Sequence, residues 1–345
     1  MARPTPTLPD REEILEIVAP FGVERIGFAA ATPDEHTRAA LEDRIAHGYA
    51  DTMGFTFGNP SRSTDPGRTV DGAVTVIAAA RSYAVADEPA PARPAARVAR
   101  YARTDHYTPL RQGLQAVVRR LRSAGERAVV MVDHNGLVDR AMAHRAGLGW
   151  FGRNANLMLP GAGSMFVLGA VVTTARYPHD TPVADGCGTC RRCIDGCPTG
   201  AIVEAGVVDA RRCLAWLVQR PGDFPEEFRV ALGDRIYGCD DCQEVCPPTT
   251  HLSIRSPSPA PDGDMWVDLI DMLNADDATL LDRYGRWYIA DRDPRWLRRN
   301  ALICVGNTAS LTDIEAREVV ERYRDGDDDL LAEHARWALA QIASR

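Results

Sequence analysis

Residues 187–198 read Cys187-Gly-Thr-Cys190-Arg-Arg-Cys193-Ile-Asp-Gly-Cys197-Pro198. This is the C-x2-C-x2-C-x3-C-P spacing of bacterial two-cluster ferredoxins. The short steps between the first three cysteines place their thiolates on one turn of chain, close enough to bind one cluster. The cysteine that precedes the proline binds the other cluster in such proteins. This stretch therefore predicts two 4Fe–4S clusters.

A second run completes the ligand set: Cys213, a gap, and then Cys239-Asp-Asp-Cys242-Gln-Glu-Val-Cys246-Pro247. By the same logic, the first cluster is assigned to Cys187, Cys190, Cys193 and Cys246. The second is assigned to Cys197, Cys213, Cys239 and Cys242. Structural zinc, which also uses paired C-x2-C units, is the alternative. The third cysteine of the first run and the Cys-Pro endings favour iron.

The remaining composition limits the class of protein. The chain has 345 residues, 45% of them hydrophobic, and a net charge of −8, which argues against a broadly basic nucleic-acid binder. The N-terminus shows no signal peptide, and the most apolar long segment, residues 165–174, is shorter than the roughly 20 residues that cross a bilayer. We expect a cytoplasmic protein without a membrane partner. The ninth cysteine, Cys304, lies in an apolar stretch and is expected to be a buried helix residue without chemistry.

Periodicity predicts alternating helices and strands up to about residue 180, followed by a Gly- and Pro-rich cysteine segment and then helices alone. The predicted helices of the first part are 10–22, 34–47, 110–124 and 137–146, and its predicted strands are 24–30, 75–80, 128–133 and 165–174. Residues 84–95 are predicted to form a loop. The later predicted helices are 277–284, 294–311, 313–324 and 330–343, which suggest HEAT-like pairs.

Clusters of this kind move single electrons, and neither a P-loop nor a GxGxxG turn indicates a nucleotide site. Other strings are more specific: Met-Val-Asp133-His-Asn-Gly, Asp139-Arg-Ala-Met-Ala-His-Arg-Ala-Gly-Leu-Gly-Trp-Phe-Gly-Arg-Asn154, and Asp293-Pro-Arg-Trp-Leu-Arg-Arg-Asn300. Together with the cysteine runs, they closely resemble the epoxyqueuosine reductases, the cobalamin-dependent enzymes of queuosine tRNA modification. The resemblance runs from about residue 12 to the C-terminal helices.

The resemblance implies an α+β fold in three parts: a nitroreductase-like cobalamin-binding domain (1–180), a ferredoxin-like module with two 4Fe–4S clusters (181–255) and a helical HEAT-like domain (256–345). It implies reduction of epoxyqueuosine to queuosine at the wobble position of tRNA. The expected partners are the tRNA anticodon stem-loop carrying epoxyqueuosine and an electron donor that the sequence does not identify. The resemblance also suggests a monomer.

Asp133 matches the proton donor proposed for this family. It ends an apolar strand and precedes a His-Asn-Gly turn, so its side chain is expected at the edge of a cavity. Loss of the epoxide oxygen as water needs a proton, which a carboxylic acid held near the cobalt can supply, provided that burial raises its pKa. The alternative is that Asp133 only caps the next helix.

The resemblance also implies cobalamin contacts. Those in the first part are Arg62, Leu157, Ser164 and Leu168. Those beside the cluster ligands are Ala215, Gln219, Asp240 and Asp241. For Arg62 the alternative is an exposed loop arginine. For Leu157 and Leu168 it is plain core, which is compatible with an apolar corrin face.

RNA contacts are expected at Arg295, Arg298 and Arg299, which are clustered with Arg286 around Trp287, Tyr288 and Trp296. Guanidinium groups pair with phosphates, and aromatic rings stack on splayed bases. The alternative is a solvated helix face over buried tryptophans.

Two other functions compete with the main hypothesis. A cobalamin-dependent reductive dehalogenase would share the cofactors, but the basic C-terminal helices and the lack of a twin-arginine signal count against it. A pure electron carrier would leave the first 180 residues and Asp133 unexplained.

Overall fold

The computed structural model of the protein describes residues 7–250 and 265–345. The predicted boundary between residues 255 and 256 lies outside these ranges, and the division into three domains stays a prediction. Among the helices of the described residues, none is long and apolar enough to span a lipid bilayer.

In the described ranges, the strands are β1 (Val23–Ala30), β2 (Thr75–Ser82), β3 (Ala95–Val98), β4 (Ala128–Val132), β5 (Trp150–Phe151), β6 (Leu157–Met158), β7 (Phe166–Thr173), β8 (Ile202–Glu204), β9 (Val207–Val208), β10 (Arg235–Tyr237) and β11 (Trp266–Asp268). The first helices are α1 (Arg11–Val18), α2 (Glu35–Ala46), α3 (Pro60–Ser63), α4 (Arg100–Arg103), α5 (Tyr107–Ser123) and α6 (Asp139–Arg145). The cysteine segment contains α7 (Arg192–Asp195), α8 (Leu214–Leu217), α9 (Glu226–Leu232) and α10 (Asp241–Glu244). The C-terminal helices are α11 (Leu269–Asn274), α12 (Asp277–Tyr284), α13 (Arg295–Thr308), α14 (Ile314–Arg324) and α15 (Asp329–Ala343).

A four-stranded antiparallel sheet in the order β1-β2-β7-β4 forms the centre of the first part. Every residue of β7 is buried, as expected for a central strand covered on both faces. Ile77 and Ala79 pack with α1 and α5 on one face, whereas Ala78 and Ala80 pack with α6 on the other. The predicted alternation of helices and strands is confirmed here, with shifts of a few residues at the ends.

A second sheet, in the order β10-β3-β11, was not predicted. Strand β3 lies in the first part, β10 directly precedes the second cysteine run, and β11 precedes the C-terminal helices. Each strand has only three or four residues, too few to show a period, and β3 follows directly on the Ala- and Pro-rich stretch predicted as a loop. This sheet joins the three parts of the chain by backbone hydrogen bonds.

The C-terminal helices pack around α13, which contacts both α11 and α15. Residues Ala301 to Gly306 of α13 are all buried, and Leu217, Phe224 and Ile236 of the cysteine segment share this core. Cys304 is fully buried, as predicted, and burial raises the pKa of its thiol. The mixed α/β architecture is thereby confirmed, while the nitroreductase-like and HEAT-like assignments stay predictions.

Candidate redox and active site

The first four predicted cysteine ligands form one group in space. Burial raises the pKa of Cys193, and the thiolates of Cys246 and Cys187 raise it further. Burial also raises the pKa of Cys246, with further contributions from Cys187 and Cys190. Cys246 therefore approaches the first cysteine run although it lies at the end of the second.

The other four cysteines form a second, more deeply buried group. Burial raises the pKa of Cys242 well above its ordinary value, and the neighbouring thiolates of Cys239, Cys213 and Cys197 add to the effect. Burial likewise raises the pKa of Cys239. Four thiolates in one buried place repel one another, and bound iron would relieve that repulsion because its positive charge stabilises thiolates.

The spacing of the sulfur atoms distinguishes zinc from a larger inorganic core. In tetrahedral zinc sites with Zn–S bonds of 2.3 Å, the sulfurs lie about 3.8 Å apart. Among the described residues, no three cysteine sulfurs lie within 4.8 Å of one another. This spacing agrees with the prediction of 4Fe–4S clusters, which hold their four thiolates further apart than zinc does.

A buried polar network fastens the second cysteine group to the first sheet. The side-chain amide of Gln243 donates to the Tyr83 hydroxyl and to Ser164 Oγ, each at 3.0 Å. Asn154 Nδ2 donates to the Cys242 carbonyl at 3.4 Å. Tyr83 follows β2 and Ser164 precedes β7, so the second group lies against the ends of the two central strands.

Two adjacent aspartates beside these cysteines differ in their hydrogen bonds. Both Asp241 oxygens accept from Arg235, at 2.9 and 2.7 Å. Asp240 Oδ2 accepts from the Arg100 backbone N–H at 2.7 Å, but its buried Oδ1 has no hydrogen-bond partner among the described residues. Burial raises the pKa of Asp240. An unsatisfied buried carboxylate oxygen is costly, which is typical of a ligand site.

Asp133 follows β4 and has a φ of +48°, in the left-handed region. Its side chain is exposed, and Arg111 fixes the end of the strand by donating to the Val132 carbonyl at 2.7 Å. Helix α6 begins at Asp139 with Val138 as its N-cap, so Asp133 does not cap it. Non-glycine residues in this conformation are concentrated at functional sites.

Asp133 lies close to the cysteine segment as well as to the first sheet. Burial raises the pKa of Tyr107, and Asp133 raises it further. Burial also raises the pKa of Tyr237, with a contribution from Asp133. Tyr237 ends β10 two residues before Cys239, so Asp133 exerts its charge on a residue of the cysteine segment.

Arg140 was quoted in the family strings but was not predicted as a site residue. Its charge lowers the pKa of Tyr107 and that of Cys213, although burial dominates both pKa values and raises them. It therefore lies between the Asp133 side and the second cysteine group. The only sequence signal for Arg140 was its position directly after Asp139, where helix α6 begins. The sequence does not show which residues surround that position, whereas the fold does.

His106, for which the sequence assigned no role, is buried beside Arg81. Burial lowers the pKa of His106 to about 4, and Arg81 lowers it further. Its imidazole is therefore neutral near pH 7.

The remaining predicted cobalamin contacts occupy different environments. Arg62 is exposed on α3, whereas Leu157 and Leu168 are buried in an alanine-rich core. The Gln219 amide donates to the Tyr101 hydroxyl at 3.3 Å and to the Ala215 carbonyl at 2.9 Å.

The structure corrects one RNA prediction. Arg299 is fully buried and donates to the backbone carbonyls of Leu217, Arg220 and Gly222. It cannot reach a phosphate, because its guanidinium group fastens α13 to the cysteine segment instead. Burial lowers its pKa to about 9.

The other residues of the predicted RNA patch differ in exposure. Trp287 and Trp296 are buried, whereas Tyr288 is 58% exposed. Arg298 is mostly buried and donates to Asp277 at 2.6 Å. Arg295 is 40% exposed and pairs with Asp328 at 3.4 Å.

Two groups of four cysteines docked on a mixed α/β fold are typical of an iron–sulfur protein that transfers electrons. Residues 186–249 match the family model described as "4Fe-4S double cluster binding domain" and contain all eight cysteines. Residues 63–138 match the model "Epoxyqueuosine reductase QueG, DUF1730". The chain is 35% identical to epoxyqueuosine reductase from Xanthomonas campestris (99% of this chain, 98% of the relative) and 32% identical to that from Bacillus anthracis (96% and 89%). The chain belongs to the epoxyqueuosine reductase family and is an oxidoreductase with iron–sulfur clusters.

Solved structures agree with this assignment. The structure from Streptococcus thermophilus superposes with a TM-score of 0.87 at 27% identity, covering 97% of this chain and 90% of the other. An epoxyqueuosine reductase solved with an epoxyqueuosine-modified tRNA-Tyr stem loop gives a TM-score of 0.87 at 29% identity, covering 96% and 90%. The Bacillus subtilis structure, described with an aspartate catalytic loop swung out of the active site, gives 0.86 at 28% identity, covering 96% and 90%.

Proposed function

We propose that this protein reduces epoxyqueuosine at the wobble position of tRNA to queuosine, using two 4Fe–4S clusters, a bound cobalamin and Asp133 as proton donor. Removal of the epoxide oxygen as water consumes two electrons and two protons. The observation that carries the proposal is that Asp133 acts electrostatically on Tyr237, which lies two residues before Cys239, while Arg140 acts on both Tyr107 and Cys213. A proton and an electron can therefore be delivered to one place.

The two cysteine groups are the proposed cluster ligands. Cys187, Cys190, Cys193 and Cys246 would bind the first cluster, and Cys197, Cys213, Cys239 and Cys242 the second. Cys190 is exposed, so the first cluster would receive electrons at the surface. The second, beside the Asp133 space, would pass them on.

The residues near the second group suit a corrin. When bound, cobalamin supplies a metal centre that can be reduced far enough to attack or reduce a strained epoxide. The unsatisfied oxygen of Asp240 fits an amide N–H of the corrin rim, and Gln219 offers a neighbouring amide. Leu157 and Leu168 would contribute apolar surface. The Asp241 oxygens are held by Arg235 and the Ser164 hydroxyl by Gln243, so we expect these two residues to contribute shape rather than new hydrogen bonds.

Asp133 suits proton transfer because bound substrate would cover its exposed side chain, and such burial favours the neutral acid over the carboxylate. When the substrate covers the site, water is excluded and the acid is held beside the leaving oxygen. The Bacillus subtilis relative, with its displaced aspartate loop, supports a loop that can move toward the substrate.

For the RNA, Tyr288 is the best-placed aromatic contact. The backbone N–H of Tyr288 donates to the Tyr237 hydroxyl at 2.8 Å. The charge of Asp133 in turn contributes to the raised pKa of Tyr237. The exposed Tyr288 ring is therefore near the entrance to the acid site, where an unstacked base could lie on it. Arg295, and less readily Arg298, would pair with phosphates.

The test uses anaerobically reconstituted full-length protein, dithionite, cobalamin and an anticodon stem-loop that contains epoxyqueuosine. Nucleoside mass spectrometry should show queuosine only when both iron and cobalamin are present. Unchanged epoxyqueuosine with fully iron- and cobalamin-loaded protein would reject the proposal. Conversion of a halogenated phenol in place of the stem-loop would favour the dehalogenase alternative.

A further inference from the structure

A tryptophan from the first sheet region contacts the proposed first cluster site. The indole N–H of Trp150 on β5 donates to Cys187 Sγ at 3.4 Å. The ring is 9% exposed, and it lies outside the cysteine segment that it contacts. The hydrogen bond therefore joins strand β5, in the first part of the chain, to the first group of cysteines.

The local packing fixes the tryptophan in this position. Gly186, directly before Cys187, lies against the ring, and a Cβ there would come within 2.7 Å of it. Arg153 then donates to the Gly188 carbonyl at 2.6 Å. Since Asn154 contacts Cys242, the segment 150–154 touches both cysteine runs.

We infer that Trp150 sets the reduction potential of the first cluster through this hydrogen bond, an inference that rests on the proposed ligand assignment. Reduction adds one electron to the cluster, and no bond is made or broken. Hydrogen bonds to the sulfurs are among the factors that set cluster potentials. An N–H donor stabilises negative charge on sulfur, and the reduced cluster carries more of it, so the Trp150 bond raises the potential.

The second cysteine group has a different kind of donor. Cys197 Sγ accepts from the Ala201 backbone N–H at 3.2 Å, and the Thr199 hydroxyl, 3.8 Å from the same sulfur, donates to the Arg212 carbonyl at 2.6 Å. A backbone donor is the same for every residue type except proline, whereas the indole of Trp150 depends on residue identity. The identity of residue 150 thus influences the potential at the exposed cluster, where electrons would enter, and a substitution at this residue can test it.

The experiment replaces Trp150 with phenylalanine, which keeps an aromatic ring and removes the N–H. Both clusters are titrated with dithionite under EPR in the iron-reconstituted full-length protein, without cobalamin or RNA. One potential should fall by about 59 mV, equivalent to a tenfold lower equilibrium constant for a one-electron couple, while the other stays unchanged. The matched control is Trp216→Phe, because Trp216 lies near Cys213 but donates its N–H to Asp51 at 2.8 Å, not to sulfur.

Two unchanged potentials in Trp150→Phe, or the same fall in Trp216→Phe, would overturn the inference. If Trp150→Phe does not load iron, the same potentials are measured in Gly186→Ala instead. It keeps the indole but displaces the ring from Cys187, so the same potential should fall, and an unchanged value would count against the hydrogen bond. These readouts do not use turnover. Failure of the stem-loop assay with normal cluster potentials would therefore reject the proposed function and leave this inference standing.

Discussion

The four-stranded sheet and the segment 186–213 are stabilised in different ways. The sheet buries its strands between α1 and α5 on one face and α6 on the other. Within segment 186–213, which the structure describes throughout, the buried hydrophobic residues are only Ala201, Ile202 and Ala210. The sheet can therefore fold by burying apolar surface, whereas the segment needs its iron.

The strongest way to break this comparison is to remove the iron. Chelation under reducing conditions should let backbone amides between Cys187 and Cys213 exchange almost freely, because the segment has little core to hold it. Amides of β2 and β7 should stay protected. Hydrogen exchange with mass spectrometry measures both regions in one sample.

The control for iron removal is Cys304→Ser, which changes a buried cysteine away from both groups. It should keep the full iron content, although it could lower stability. Slow exchange in the iron-free segment 187–213 would show that the segment folds without metal, and the contrast with the sheet would then be wrong.

The second prediction concerns the place where the two regions meet. Asp133→Asn should reduce turnover of the modified stem-loop by about 10²- to 10⁴-fold, because the amide cannot donate a proton as the carboxylic acid does. Iron content and cobalamin binding should not change. Single-turnover assays and visible spectra measure these quantities separately.

Asp291→Asn is a matched control, since Asp291 is also exposed and has a φ of +53°. It repeats the change in charge and backbone preference at a different position, and it should keep wild-type turnover. Full activity in Asp133→Asn would remove Asp133 from its proposed role.

The sequence predicted the sheet region well because its elements are long enough to show a period. Strands β2 and β7 each have eight residues, and Asp10 and Asp34 cap the first two helices. The strands β3, β10 and β11 were not predicted, because three or four residues are too few to show a periodic pattern of hydrophobicity. Their pairing joins segments far apart in the chain, which local patterns do not encode.

The site was only partly predictable for a related reason. The spacing of cysteines is typical of the metal centre they bind, so the division of the eight cysteines into two ligand sets could be proposed from the sequence alone. The sequence does not show whether an arginine is exposed or buried, so Arg299 was predicted to contact RNA. Trp150 and Arg140 lay in recognised strings, but only the fold shows that Trp150 donates to a sulfur and that Arg140 acts on Tyr107 and Cys213.

A third mode of stabilisation, besides apolar packing and metal binding, is the buried side chain of Arg299. Its hydrogen bonds connect helix α13 to the cysteine segment. Arg299→Ala should lower the free energy of unfolding by about 2–4 kcal/mol, because three buried carbonyls lose their donor. Urea denaturation of the iron-loaded protein measures the change. Arg324→Ala is the control, since Arg324 pairs with Asp325 at the surface and its loss should lower the free energy of unfolding much less. A stable Arg299→Ala protein with weakened RNA binding would restore the original prediction.

A smaller effect is expected where the helical part meets the RNA. Tyr288→Ala should weaken stem-loop binding about tenfold, within the range for loss of one base stack. Its ring is exposed and its bonds to Tyr237 are made by the backbone, so folding should not change. Fluorescence anisotropy measures the affinity. Tyr288→Phe, which keeps the ring, should bind normally, and equal binding by Tyr288→Ala would exclude this contact.

The smallest predicted effect tests whether the sheet region depends on pH through His106. The folded pKa of about 4 lies below the ordinary value of 6.5, so the unfolded chain takes up a proton first as the pH falls. The stability that comes from keeping this imidazole neutral is complete above pH 6.5 and declines as the pH approaches 4. The groups that face it are Arg81, Asp105 and Arg286, of which the two arginines oppose its protonation. Between pH 7.5 and 5.5, His106→Gln should therefore lose about 1 kcal/mol less stability than the wild type. Urea midpoints at the two pH values measure the difference, with the exposed His36→Gln as control. Parallel losses in all three proteins would mean that His106 is protonated as easily in the folded chain as in the unfolded one.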